Sequence, residues 1–236
     1  IWIDYTIFWL MERLRVSMSN SKSLLIALQH GDTFFPSGGN AFSWGLETLH
    51  ADGWLPDPVE LESFLFGQLI HRWATSDRLA LVRSYGAADD LDKVAACDAE
   101  LDTLALAREL REGSRRAGGT LLKVHSQLGT PKADAYRERV RNAQAFGHLA
   151  AVQGLIWRGV GMSLEEAQVT SAHTLCLGVL GAAIRLGIVG HIDAQKILQS
   201  AHAALDDLLL PFCDDELSSF VPASEIAMMR EVSMPK

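Results

Sequence analysis

Residues 172–190 read AHTLCLGVLGAAIRLGIVG and form the most apolar part of the chain. Between Thr174 and Ile184 no residue carries a charge, and large apolar side chains would cover most of a helix circumference. Arg185 ends this neutral run well short of the ~20 residues that a membrane-spanning helix needs. The stretch therefore predicts a helix at the centre of a bundle, ended by Gly190, and not a membrane span.

Helix signals continue on both sides of this stretch. Asp57-Pro58 combines an N-cap aspartate with a first-turn proline, and Ser163 and Glu166 have the spacing of a capping box. No run alternates apolar and polar residues between hairpin turns, which would indicate strands. The sequence therefore predicts an all-α single domain, a helical bundle of roughly eight to ten helices.

Glycine, proline and capping residues predict several helix boundaries within this bundle. We expect one helix from about Asp90 to Leu110, followed by a region that Gly113 and Gly118-Gly119 interrupt. Thr130-Pro131 should open the next helix, and the helix after Gly190 should run from Asp193 to Leu210.

Composition excludes several classes of protein. The 236 residues carry 21 basic and 29 acidic side chains, a net charge of −8, which disfavours sequence-independent binding to nucleic acid. Three cysteines, Cys97, Cys176 and Cys213, are widely separated and odd in number, so they indicate a reducing compartment. We therefore expect a cytoplasmic protein.

The first residues stand apart from the rest. Residues 1–10 read IWIDYTIFWL, too short to span a bilayer and without the positive charge of a signal peptide. We interpret residues 1–18 as an N-terminal extension and residues 19–236 as the domain. The extension is either an artefact of translation upstream of a start at Met11 or Met18, or a short helix that docks on a partner.

A glycine-rich signature lies at residues 34–47, which read FFPSGGNAFSWGLE. It lacks the Gly-Lys-Ser/Thr ending of a phosphate-binding loop. It resembles the N-terminal signature of the urease accessory protein UreF family, roughly Leu-Pro-x-Gly-x-Phe-x-x-Ser-x-Gly-Leu-Glu. The matching residues are Pro36, Gly38 or Gly39, Phe42, Ser43, Gly45, Leu46 and Glu47.

Further matches extend over roughly residues 24–230. Residues 108–122 (RELREGSRRAGGTLL) share Glu-Leu-Arg, Ser, Gly and Leu-Leu with the family, and residues 184–198 share Arg-Leu, Gly and Gln. His191 and Ala194 depart from the family's Gln and Gly. Phe146-Gly147-His148 and the segment from Phe220 to Met229 are similar to the family as well.

The resemblance implies a non-enzymatic, all-α scaffold that joins a UreD/UreH-like protein and a UreG-like GTPase on apo-urease. There it would regulate GTP-dependent nickel incorporation, as a homodimer that binds no cofactor stably because the complex handles the nickel. It implies partner contacts at eleven residues: Pro36, Gly39, Ser43, Gly45, Glu47, Glu109, Arg111, Ser114, Arg185, Gln195 and Glu225.

Plainer interpretations of these residues stay open. Glu47 could be a solvated helix carboxylate, Arg185 could cap carbonyls at a helix end, and residues 108–116 could form a solvated face. Two other functions also stay open. One is a GTPase-activating protein that supplies Arg111, Arg115 or Arg116 to the phosphates; the other is a helical enzyme of unknown chemistry built on Glu47 and His148.

The chain has eight histidines, and imidazole is a good ligand for nickel. None lies one helical turn from another in the sequence, so each is expected to be a capping or core residue. The two in matched motifs, His148 and His191, are the candidates for a metal ligand.

Overall fold

The structure is a computed structural model that describes residues 21–36, 44–55, 57–209, 216–219 and 221–231. Within these ranges all regular structure is helical, which confirms the expected all-α bundle. The proposed extension at residues 1–18 lies outside the described residues. The helices are α1 (21–31), α2 (Leu46–Ala51), α3 (Pro58–Gln68), a π-helical segment (Leu69–Asp77), α4 (Arg78–Gly86), α5 (Leu91–Leu104), α6 (Arg108–Gln127), α7 (Ala133–Arg141), α8 (Leu149–Val160), α9 (Leu164–Arg185), α10 (His191–Leu208) and α11 (Pro222–Glu231).

The predicted central helix is α9. It begins with the expected capping box, in which Ser163 accepts from the Glu166 backbone N–H and the Glu166 side chain accepts from the Ser163 N–H. By length and composition α9 could cross a membrane, but 61% of its most apolar window is buried inside the fold. It packs against α2, α3, α4, α8 and α10. It therefore has the burial of a core helix.

Two large apolar clusters fill the bundle. One gathers side chains from α2, α3, the π-helical segment, α9 and α10, and the other gathers side chains from α4, α6, α7 and α8. A close approach at Gly154 joins α8 to α4, because a Cβ there would lie 2.3 Å from the Leu81 carbonyl oxygen. Only glycine allows two helix backbones to come so close.

Several predicted boundaries were wrong. The helix expected to reach Leu110 ends at Leu104, and α6 then runs unbroken through Gly113, Gly118 and Gly119. These glycines do not break the helix, because tertiary packing outweighs their weak intrinsic preference.

Gly190 does not end α9. It is the N-cap of α10 with φ −82°, whereas α9 stops at Arg185. The next helix after Thr130-Pro131 begins at Ala133, and α10 spans His191–Leu208 in place of Asp193 to Leu210.

The π-helical segment carries two consecutive large residues, Arg72 and Trp73, that lie inside the protein. They follow the buried Leu69 by three and four residues, so they share its face of the helix. Single π turns within α-helices often occur at functional sites. Here the segment puts a buried cation beside the signature.

Candidate functional site

The end of the 34–47 signature packs against the C-terminal helix. The backbone carbonyl of Trp44 accepts a hydrogen bond from the Ser224 hydroxyl. Gly45 has φ +80°, and a Cβ there would lie 2.9 Å from the Ser224 carbonyl oxygen and 3.0 Å from Ala227 Cβ. Gly45 is therefore required both by its left-handed backbone and by the contact with α11.

A buried charge lies beneath this contact. The Arg72 guanidinium stacks 3.5 Å from the centre of the Trp44 ring and donates to Asp77 Oδ2 at 2.5 Å. Burial lowers the pKa of Arg72, while Asp77 and then Glu225 oppose that shift. Burial likewise raises the pKa of Glu225, against the attraction of Arg72. Glu225 therefore belongs to the interior, although the resemblance implied a partner contact there.

The Arg72 cluster borders a small cavity of about 50 Å³. The ring systems of Trp44, Trp73 and Trp157 line it together with Phe35 and His30. Its size and aromatic lining suit a packing defect or a few waters, and no array of catalytic groups converges there in the described part of the chain.

A second contact centres on the carboxylate of Asp98, which is fully buried on α5. Asp98 Oδ2 accepts from the Tyr136 hydroxyl at 2.9 Å and from the backbone N–H groups of Phe146 and Gly147 at 2.9 and 2.6 Å. Asp98 Oδ1 accepts from the His148 N–H at 2.8 Å. Burial first, and then the charge of Asp98, raise the pKa of Tyr136. Four donors thus fix the loop before α8.

The family-like motif of α6 packs on the other side of that loop. A Cβ at Gly118 would lie 2.1 Å from the Gly147 carbonyl oxygen, so the loop rests directly on the helix backbone. The Ser114 hydroxyl accepts from the Leu149 N–H at 3.2 Å. The motif at 108–122 and the Gly-His motif at 147–148 therefore form one structural unit.

The three arginines considered as arginine fingers differ in their surroundings. Arg111 donates to the carbonyls of Ala105 and Leu106 and so caps the end of α5. Arg115 pairs with Asp102 and lies over the Phe146 ring. Arg116 is exposed, and within the described ranges its guanidinium makes no hydrogen bond or ion pair.

The turn between α9 and α10 gathers a set of exposed residues from the 184–198 motif. Arg185, His191 and Gln195 are all exposed there, and Ile192 has 70% of its surface in solvent. An apolar side chain surrounded by polar ones is typical of protein contact surfaces. We call these four residues the α9–α10 turn surface.

The remaining expected contact residues are scattered. Pro36 and Glu47 are exposed and Glu109 is partly exposed, whereas Gly39 and Ser43 lie outside the described residues. Trp54 is 71% exposed near the signature, but Trp44 is buried. Glu47 lies on the surface of α2 while His148 is buried, so the carboxylate–histidine enzyme site gains no support.

The structure places the two candidate metal ligands differently. His148 is buried, and its Nε2 lies 2.9 Å from Asp102 Oδ1. Although burial raises the pKa of Asp102, hydrogen bonds from His148 and Arg115 lower it overall. His191 is exposed at the start of α10. No group of three or more His, Cys, Asp or Glu in the described ranges could hold a metal ion.

Two histidine pairs form that the sequence did not reveal. His30 and His125 face each other with their Nε2 atoms 3.2 Å apart, and His173 Nδ1 lies 3.1 Å from His202 Nε2. The partners are 95 and 29 residues apart in the chain, so no local spacing could signal either pair.

Sequence reasoning also missed Asp98 and Arg72. Asp98 lies one residue after Cys97 on the buried side of α5, and a charged residue at a core position is the signal that could have found it. Arg72 gives the same signal, because it lies three residues after Leu69 on the buried face of its helix.

Comparison with known proteins gives a consistent result. The family model described as UreF matches residues 55–202. A protein described as "Urease accessory protein UreF" from Trichodesmium erythraeum is 35% identical over 76% of this chain and 79% of its own length. One with the same description from Paenarthrobacter aurescens is 31% identical over 89% of this chain and 95% of its own, and one from Yersinia enterocolitica is 27% identical over 88% and 93%.

Proposed function

The chain belongs to the UreF family of urease accessory proteins, and we propose that it is a non-enzymatic scaffold for the insertion of nickel into apo-urease. In this role it joins a UreD/UreH-like protein and a UreG-like GTPase on apo-urease in the cytoplasm. It acts as a homodimer and couples GTP hydrolysis to nickel transfer. The complex handles the nickel, and this chain holds no cofactor stably.

The internal contacts that the family-like motifs make support the proposal that the chain is a scaffold. Several of their polar groups are engaged inside the protein, as when the 146–148 backbone donates to Asp98 and the Ser224 hydroxyl donates to Trp44. A nucleophile poised against a base would instead sit in an open cleft. The motifs therefore hold helices in fixed positions, which is what a platform for other proteins needs.

Exposed apolar side chains support the binding of partners. On α1, Leu24, Leu25 and Leu28 have 53%, 66% and 61% of their surfaces in solvent. A run of exposed leucines on one helix indicates a surface that another protein covers. The α9–α10 turn surface, with Ile192 at its centre, is a second such place.

The decisive experiment is deletion of the gene in a urease-producing host. We expect urease protein to accumulate with little nickel, measured by elemental analysis of the purified enzyme. A tagged copy of the chain should restore nickel loading and co-purify with a small GTPase. Fully nickel-loaded urease in the deletion strain would refute the proposal.

A narrower role for one arginine is a second candidate. It is favoured because Arg116 is exposed and its guanidinium has no hydrogen bond or ion pair among the described residues. If Arg116 enters the active site of the GTPase, Arg116→Ala should slow GTP hydrolysis by the assembled complex about 10³-fold or more. Arg108 is a matched control, since it is an exposed arginine of the same helix that pairs with Glu112. An unchanged rate with Arg116→Ala would exclude the finger and leave the scaffold intact.

A further inference from the structure

The His173–His202 pair joins the neighbouring helices α9 and α10 at the protein surface. His173 projects from the middle of α9 and is partly exposed, and His202 projects from α10 and is exposed. Their facing nitrogens are 3.1 Å apart and the rings are inclined at 44°. Two rigid helices therefore hold two imidazoles together.

The separation of the facing nitrogens matches that of two ligands on one metal ion. Nitrogens bound about 2.0–2.1 Å from a metal, at tetrahedral or octahedral angles to each other, lie about 2.8–3.4 Å apart. The 3.1 Å between His173 Nδ1 and His202 Nε2 falls within that interval. The two nitrogens need not move apart to hold an ion, and a turn of the rings about their side-chain bonds would direct both lone pairs at it.

The proton now shared by the pair can move without cost to the fold. In the described ranges the outer nitrogens, His173 Nε2 and His202 Nδ1, have no hydrogen-bond partner. The donor ring can therefore carry its proton on the outer nitrogen, which leaves both inner lone pairs for a metal. The exchange needs a change of tautomer and no net release of protons.

The buried pair makes a useful contrast. His30 Nδ1 is bound to the Ile26 carbonyl at 2.7 Å, and His125 Nδ1 to the Thr130 hydroxyl at 2.8 Å. Phe35 lies against both rings, with its centroid 4.5 and 5.7 Å from theirs. With every nitrogen paired and an aromatic ring against both imidazoles, that pair is a structural hydrogen-bonded link between α1 and α6.

The surroundings of the exposed pair suit a cation that arrives from solvent. His173 also lines a surface groove of about 500 Å³ between α1 and α9. Asp32, Glu165 and Glu166 line the same groove, and the whole chain carries a net charge of −8. A negative potential of this kind raises the local concentration of cations.

We propose that His173 and His202 form a two-ligand surface site for a late first-row divalent metal ion, with water or a partner protein completing the coordination. Imidazole is a preferred ligand of zinc, copper and nickel. Two protein ligands leave open positions, so the site binds and releases its ion readily. The site goes beyond the scaffold role, because it assigns metal contact to two named residues of this chain.

The test is calorimetric titration of the metal-stripped full chain with Ni²⁺ alone and with Zn²⁺ alone. We expect one saturable site in the unaltered protein. His202→Gln should weaken it more than the ~10–100-fold that loss of a second-shell partner causes, because it removes a direct ligand. His71→Gln is the matched control, since His71 is an exposed histidine on the π-helical segment, and it should bind as the unaltered protein does.

A second measurement guards against an effect on folding. His173→Gln should weaken binding to a similar extent while circular dichroism shows unchanged helicity. If the unaltered protein binds neither metal, or if His202→Gln binds both as tightly as the unaltered protein, the site is refuted.

The outcomes for this site and for the scaffold role are separate. Metal binding lost in His202→Gln supports the site even if urease loads normally without the gene. Metal binding retained in His202→Gln refutes the site even if deletion of the gene leaves urease without nickel.

Discussion

Replacement of Asp98 by asparagine tests the buried contact that holds the loop before α8. The amide oxygen can occupy the position of Oδ2 and keep three of the four hydrogen bonds. The amide NH₂ then faces the His148 N–H. Two buried donors oppose each other there, and the 2.8 Å hydrogen bond from the His148 N–H to Asp98 Oδ1 is lost. The change also removes the negative charge that strengthens the other three bonds.

The expected loss follows from these two effects. A hydrogen bond to a charged group contributes about 1.5–3 kcal/mol and one between neutral groups about 1 kcal/mol, while an unsatisfied buried donor costs about 1–3 kcal/mol. Burying a neutral amide in place of a carboxylate offsets part of this cost. We therefore expect a loss of about 3 kcal/mol in the free energy of unfolding and, for a domain of this size, a fall of about 6–12 °C in Tm.

Urea denaturation followed by circular dichroism measures this loss. Tyr136→Phe removes a single donor to Asp98 and should cost about 1.5 kcal/mol, the low end for a bond to a charged group, because three donors to the carboxylate remain. Asp92→Asn is the matched control on the same helix, because its side chain is 86% exposed and its surface ion pair with Arg139 should contribute less than ~1 kcal/mol. A loss below ~1 kcal/mol for Asp98→Asn, or an equal loss for Tyr136→Phe, would refute the reasoning.

Three other outcomes are expected. Burial, and then the neighbouring histidine, lower the pKa of His125 from 6.5 to about 4. The unfolded chain therefore takes up this proton at a higher pH than the folded chain, so the free energy of unfolding should fall as the pH drops from 6.5 to 4. Urea denaturation at each pH should show a shallower decline in His125→Gln. Gly118→Ala should lower the free energy of unfolding by several kcal/mol, because its Cβ would meet the Gly147 carbonyl oxygen at 2.1 Å. A Cβ at Gly119 would meet nothing within 4 Å, so Gly119→Ala should stabilise α6 by ~0.5–1 kcal/mol; thermal denaturation measures both effects. Ile192→Asp should reduce co-purification of the UreD/UreH-like protein or the GTPase without lowering Tm, because the side chain is 70% exposed.

Each of these outcomes has a result that would contradict it. An unchanged pH dependence in His125→Gln would mean that the buried pair does not titrate as described. Equal effects of the two glycine substitutions would show that the close contact on α6 is unimportant. The control for Ile192→Asp is Leu128→Asp, because Leu128 lies at the end of α6 with 62% of its surface in solvent. Loss of co-purification in both variants would contradict specific binding at the α9–α10 turn surface.

Local signals in the sequence were enough to locate several helices. The Asp57 side chain accepts from the backbone N–H groups of Val59 and Glu60, as the N-cap pattern predicts, and the Ser163–Glu166 box is formed in full. Such signals succeed because both partners lie within one helical turn. The same signals failed at Gly118, where a residue that weakens an isolated helix is needed for contact with a distant loop.

The candidate site was less predictable than the fold. The matched motifs correctly indicated the family, but their residues divide between the interior, as with Glu225, and the surface, as with Arg185. Burial of this kind depends on which helices pack together. For that reason the sequence could not separate a motif residue that holds the fold from one that faces a partner.

By itself, the sequence determined the helical class, the central helix α9 and the family, because apolar periodicity, capping residues and spaced motifs are local properties of the chain. The tertiary structure alone decided the meeting of Asp98 with the 146–148 backbone, the burial of Arg72 and the His173–His202 pair. Those contacts join residues 28 to 50 positions apart, the shortest separation being that of Arg72 from the Trp44 ring that covers it. Only helix packing can create them, since no local interaction fixes the distance between two separate helices.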